Sequence, residues 1–157
     1  MKYKILPVLK KFSYLFLSLA FINNIEAQDI TFETQYLQLS INKKGNITGL
    51  SDKQSGKNYF PAAQKSALLT LFKDSTYIEP VSASFNKKQN TITLQYTNGC
   101  VANIGITNGG AYLKFVLQSL QPRNDIQAVV WGPYSTTIQE SIGERIALYM
   151  MNSLLWG

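Results

Sequence analysis

Apolar and polar side chains alternate most regularly over residues 91–119, TITLQYTNGCVANIGITNGGAYLKFVLQS, where Ile92, Leu94 and Tyr96 are interleaved with Thr91, Thr93, Gln95 and Thr97. A period of two places the apolar set on one face of a pleated strand and the polar set on the other. Asn98-Gly99 supplies residues that tolerate the positive φ of a two-residue hairpin, and Asn108-Gly109-Gly110 serves a second reversal. The pattern therefore predicts a three-stranded meander with one face dry and the other wet.

The same reading extends on both sides. Ile30 to Glu33 and Tyr36 to Asn42 are expected strands, the second with Leu37, Leu39 and Ile41 inward. Lys43-Lys44-Gly45-Asn46 is a turn, and Ile47 to Asp52 a short strand that leads through Ser55-Gly56-Lys57-Asn58 to the aromatic stop Tyr59-Phe60-Pro61. Ala67 to Lys73 (ALLTLFK) is apolar without strict alternation, which predicts one central strand covered on both faces. Asp74-Ser75 turns the chain, and after Pro80 the residues Val81, Ala83 and Phe85 alternate with Ser82, Ser84 and Asn86. Ile126 to Trp131 is a further apolar strand, stopped by Gly132-Pro133. Beyond it Ile138, Ile142, Ile146 and Tyr149 recur at helical spacing, with Glu140 and Glu144 on one flank, so a short helix is expected over 137–152. Turn signals every eight to twelve or so residues, with one helical stretch, predict an all-β antiparallel sandwich or barrel, of which the sandwich is taken as the expectation.

The first residues change the picture of compartment. Lys2, Lys4, Lys10 and Lys11 precede the apolar run Phe12 to Ile22, which is shorter than the ~20 residues a spanning helix requires. Residues 1–27 are expected to be a signal peptide cleaved after Ala27, making the protein exported: periplasmic, cell-surface or extracellular. Its removal leaves 130 of the 157 residues, with eleven Lys and Arg against eight Asp and Glu, too small an excess for a nucleic-acid footprint. No membrane association is expected after cleavage. Residues 28–145 are expected to form one sandwich domain and 146–157, a run without charge, an atypical apolar tail. A single cysteine, Cys100, cannot form an internal disulfide, so packing has to hold the fold and Cys100 is expected to be a small buried apolar residue.

The chain has no histidine, which removes histidine-based triads and the usual zinc ligand sets. Neither a metal nor a cofactor is called for, and catalysis would need a facing pair among Asp29, Glu33, Asp52, Asp74, Glu79, Asp125, Glu140 and Glu144. No catalytic residue is assigned. The aromatic side chains offer planar apolar faces with polar tips, on which a sugar ring can stack, the alternative for most of them being the core. The set is Tyr36, Tyr59, Phe60, Tyr77, Tyr112, Trp131 and Tyr134. Trp131 and Tyr134, which flank Gly132-Pro133, are carried forward together with Tyr59 as carbohydrate-binding candidates.

Leu37-Gln38-Leu39-Ser40-Ile41-Asn42-Lys43-Lys44-Gly45-Asn46-Ile47-Thr48-Gly49-Leu50, followed by Asp52-Lys53-Gln54-Ser55-Gly56-Lys57-Asn58-Tyr59, resembles the opening of the N-terminal β-sandwich domains of large secreted bacterial glycoside hydrolases. Val130-Trp131-Gly132-Pro133-Tyr134 with Ile142-Gly143-Glu144 resembles the segment where such sandwiches run on into further strands. The resemblance implies a galactose-mutarotase-like supersandwich that is accessory to a catalytic domain lying further along a longer chain. It also implies a truncated fragment, in which 145–157 replaces the original continuation. The expected function is then a non-catalytic exported module of a glycan-degrading enzyme whose partners are carbohydrate or the parent catalytic domain. Two alternatives stand beside it: a free-standing carboxylate-dependent glycoside hydrolase, and a cell-envelope structural or adhesion module.

Overall fold

A computed structural model describes residues 29–61, 64–123 and 125–137. The expected signal peptide, the helix expected over 137–152 and the apolar tail fall on residues almost wholly outside that range. Every regular element among the described residues is a strand: β1 (Ile30–Glu33), β2 (Leu37–Ile41), β3 (Asn46–Asp52), β4 (Ser66–Ala67), β5 (Thr70–Lys73), β6 (Thr76–Ile78), β7 (Pro80–Asn86), β8 (Thr91–Tyr96), β9 (Val101–Asn108), β10 (Leu113–Gln121) and β11 (Ala128–Val130). They form three antiparallel sheets, in the orders β1-β2-β3-β4, β10-β9-β8-β7 and β11-β5-β6. The fold is all-β and sandwich-like.

One apolar cluster joins the sheets. Phe32, Leu39, Ile41 and Ile47 of the first sheet meet Ile92, Leu94, Tyr96, Ala102 and Ile104 of the meander and Leu71 of the third sheet. These are the inward positions of the two-residue period, so alternation and burial agree along β8, where Ile92, Leu94 and Tyr96 are buried and Gln95 exposed. Cys100 is buried at the edge of the same cluster, its Sγ donating to the Pro122 carbonyl at 3.2 Å. Asn46, which opens the glycosylation-type triplet Asn46-Ile47-Thr48, is also buried.

Three local readings are corrected. Ala67 to Lys73 is not one central strand: it splits into β4, paired with β3, and β5, paired with β6 and β11. Leu68 and Leu69 carry the chain from one sheet to the other with both side chains buried. Their carbonyls, lost to any ladder, accept the hydroxyls of Tyr134 (2.8 Å) and Tyr96 (3.0 Å). Second, Val81 does not join Ala83 and Phe85 on the inner face. The β7–β8 register slips between Pro80 and Ser82, leaving Val81 bulged out and 49 % exposed while Pro80 turns inward. Val81→Lys is therefore expected to change stability by no more than about 0.5 kcal/mol in a denaturant titration.

Third, the reversal at Asn98-Gly99 is a three-residue loop. Tyr96 N–H donates to the Cys100 carbonyl (3.0 Å), only Gly99 of the pair has a positive φ (81°), and Asn98 Oδ1 accepts the Cys100 N–H at 3.1 Å. The two-residue primed turn occurs instead at Asp74-Ser75 (φ 48° and 62°), where it joins β5 to β6, a strand the sequence pattern did not announce. The apolar run from Ile126 to Trp131 contributes only the three residues of β11 to a sheet.

Candidate functional site

The turn between β1 and β2 is set by Thr34, which is buried. Its Oγ1 accepts the N–H groups of Tyr36 (3.1 Å) and Leu37 (3.0 Å), while its own N–H donates to the Leu37 carbonyl at 2.8 Å. The Tyr36 carbonyl accepts the Lys53 N–H at 2.7 Å. Tyr36 is thus held through its backbone while its side chain stays 46 % exposed. Beside it, the Lys53 ammonium and the Gln38 amide bind the two oxygens of the Glu33 carboxylate at 2.9 and 3.2 Å.

The β9–β10 loop meets this turn. Gln35 N–H donates to the Gly110 carbonyl, and Asn108 Nδ2 to the Glu33 carbonyl, both at 2.7 Å. Asn108 Oδ1 also accepts the Gly110 N–H (2.9 Å), and Gly110 takes a φ of 82°, so the loop folds tightly on its own first residue. The Tyr112 side chain lies against Gly109, where any Cβ would collide with the ring, and remains 57 % exposed. Two exposed tyrosines therefore stand on two turns that are stitched together at one end of the sandwich.

A hollow of about 390 Å³ opens at the same end, lined by Phe32, Phe85, Ile106 and Leu113 with Asn90, Thr107 and Asn108. Phe32 anchors its floor through edge-on contacts with Phe85 (centroids 5.0 Å apart) and Phe115 (6.0 Å). Asn108 belongs both to this rim and to the tie between the turns, and Leu113 follows Tyr112 directly. The hollow and the tied turns thus share Asn108, and the residues that line the hollow are uncharged.

The residues singled out from sequence sit elsewhere. Tyr59 is 5 % exposed, with the Lys57 ammonium 4.8 Å from its ring centroid and its carbonyl taken by the N–H (2.8 Å) and hydroxyl (3.2 Å) of Thr137. Tyr134 spends its hydroxyl on the Leu68 carbonyl, and burial pushes its phenol well above the ordinary range. Trp131 packs half-buried on the core cluster. Tyr77, 64 % exposed, lies on the β11-β5-β6 sheet against Phe72 at 5.0 Å. Among the wider set of aromatics, Tyr36 and Tyr112 are exposed on turns that are hydrogen-bonded to each other.

Four of the described carboxylates are engaged within the fold. Asp29 accepts from the Thr48 hydroxyl (2.7 Å), Glu33 pairs with Lys53, and Asp125 pairs with Lys73 at 3.1 Å. Asp52 accepts the Gln54 N–H (2.7 Å) and the Ser55 hydroxyl (3.1 Å); the Gln54 bond above all holds its carboxyl below the usual range. Among the described residues no group of three or more His, Cys, Asp or Glu side chains is arranged to hold a metal.

The fold and this end of it define an all-β, sandwich-like module with an aromatic loop site. Compared with known families, curated proteins and solved structures, the chain matches no family model, no curated protein and no solved structure.

Proposed function

We propose that this chain is a non-catalytic, exported β-sandwich module of a glycan-degrading enzyme, and that it contacts carbohydrate through Tyr36 and Tyr112. The observation that carries the reading is their pairing. Both rings are exposed, both are fixed at the backbone, and the turns that bear them are tied by two hydrogen bonds of 2.7 Å. A backbone held in advance leaves only side-chain freedom to be lost when a sugar stacks on the rings, and the neighbouring Glu33, Gln38 and Asn108 offer acceptors and donors for hydroxyl groups. The resemblance of residues 37–59 to the opening of glycoside-hydrolase accessory domains supports the same reading.

A second contact, with the catalytic domain of the parent enzyme, is favoured by β10. This is an outer strand of its sheet, and its inward-facing Leu113, Phe115, Leu117 and Leu120 are only partly covered.

A glycan array, a reducing-sugar assay and calorimetry on the mature chain test the proposal. Binding without turnover is the expected result. Tyr36→Ala and Tyr112→Ala should each weaken binding about tenfold, since a ring contact contributes ~0.5–1.5 kcal/mol beyond its area. Thermal stability should move little, because both side chains are exposed. Sugar release would instead identify a free-standing glycosidase, and silence on the array a structural or adhesion module of the envelope.

A further inference from the structure

The lining of the hollow limits the chemistry of what it can take. Its lining divides into an apolar floor of partly or fully buried Phe32, Phe85, Ile106 and Leu113 and an exposed rim of Asn90, Thr107 and Asn108, with no charged residue in either part. An acidic or basic substituent would find no counter-charge there. A plain sugar ring pressed into it would strand hydroxyl groups over the phenylalanine and leucine floor, and a polar group buried without a partner is costly. The group that fits carries a small apolar end for the floor and an amide-like edge for the rim.

Asparagine side chains match such an edge, because each presents a carbonyl and an N–H in one plane and can pair reciprocally with another amide. Asn108 retains capacity for this: of its donors and lone pairs, the contacts to the Glu33 carbonyl and the Gly110 N–H use one each. Asn90 is fixed at the rim by a left-handed backbone (φ 49°) and by the Ile106 N–H, which donates to its carbonyl at 2.8 Å. The cavity lies within the ~300–1,000 Å³ of ligand pockets.

Resting on the glycan-binding reading, we propose that this hollow receives the acetamido group of an N-acetylated sugar, its methyl on the Phe85–Leu113 floor and its amide against Asn90 and Asn108, while Tyr36 and Tyr112 hold the rings that follow.

Calorimetry on the full mature chain, with N,N′,N″-triacetylchitotriose (chitotriose below) and cellotriose as probes, separates the inference from the reading beneath it. The two trimers share ring and linkage and differ in acetamido against hydroxyl. Chitotriose should bind at least about tenfold more tightly, the discrimination that one extra methyl group in an apolar pocket reaches. Asn90→Gly removes the amide and suits the left-handed backbone, so the variant should fold normally and narrow the gap to about threefold. Tyr112→Ala should weaken both trimers together. Equal binding of the two trimers, with loss on Tyr112→Ala, would overturn the acetamido pocket and leave the glycan reading intact. An O-acetylated cellotriose binding as well as chitotriose would overturn the amide pairing, and no binding to any glycan would overturn both.

Discussion

Replacing Gly45 by alanine is expected to cost about 2–5 kcal/mol of stability, the sum of a left-handed backbone penalty of ~1–2 and an overpacking penalty of ~1–3. The turn that carries Gly45 holds several elements at once. Asn42 Oδ1 accepts the N–H groups of Lys44 (2.9 Å) and Asn46 (3.0 Å), the Lys43 carbonyl accepts from Ala83 of β7 (2.6 Å), and the Gly45 carbonyl from Leu68 (2.9 Å). Gly45 itself has φ 83°, and a Cβ there would stand 2.9 Å from both Leu94 Cδ2 and Pro80 Cγ. The turn is pressed onto the meander, so an added methyl must either push it off or displace two core side chains.

Gly99 provides the control. It has nearly the same φ, 81°, but nothing lies within 4 Å of its would-be Cβ. Gly99→Ala should therefore show the backbone penalty alone, ~1–2 kcal/mol. Urea titrations in which the midpoint moves and the slope does not would measure the difference between the two. Equal losses at the two sites would mean that the Gly45 turn does not bear on the core in solution.

The elements legible in the sequence are those whose cause is local. The meander could be read because Ile92, Leu94 and Tyr96 repeat every second residue and the Asn-Gly turns carry their own conformational signal. Ala67 to Lys73 could not, since what splits it is remote: the Leu68 and Leu69 carbonyls are satisfied by hydroxyls 66 and 27 residues away. Val81 kept its place in the alternation yet left the core, because a bulge is decided by the register with β8. Tyr36 and Tyr112 belonged to the aromatic set read from composition. Their pairing depends on contacts such as Asn108 to Glu33, 75 residues apart, and no turn motif near either ring announces it. Trp131 and Tyr134 drew attention because Gly132-Pro133 has the signature of an exposed loop. In the structure that segment instead runs back along the sheet switch, where Ser135 N–H donates to Ser66 Oγ at 3.2 Å.

The same switch is expected to make the protein sensitive to alkali. Burial raises the phenols of both Tyr96 and Tyr134 well above the ordinary value near ~10; the Cys100 side chain adds to the rise at Tyr96, and a backbone bond at Gly132 opposes it at Tyr134. A phenolate cannot donate to the Leu68 or Leu69 carbonyl, and its charge would be held in the core. The unfolded chain therefore loses these protons first. Stability from both groups is fully present below pH ~10 and falls as the pH climbs through the ordinary tyrosine range towards the raised folded-state values. Tyr96→Phe with Tyr134→Phe removes the titration together with the bonds. At neutral pH each change should cost ~1–3 kcal/mol, because a buried carbonyl loses its donor. Between about pH 9 and 11 the intact protein should lose stability steeply while the double variant changes far less, so the gap between them narrows or closes. Urea midpoints across that range decide the matter, and curves that fall in parallel would show that these two phenols do not govern the alkaline limit.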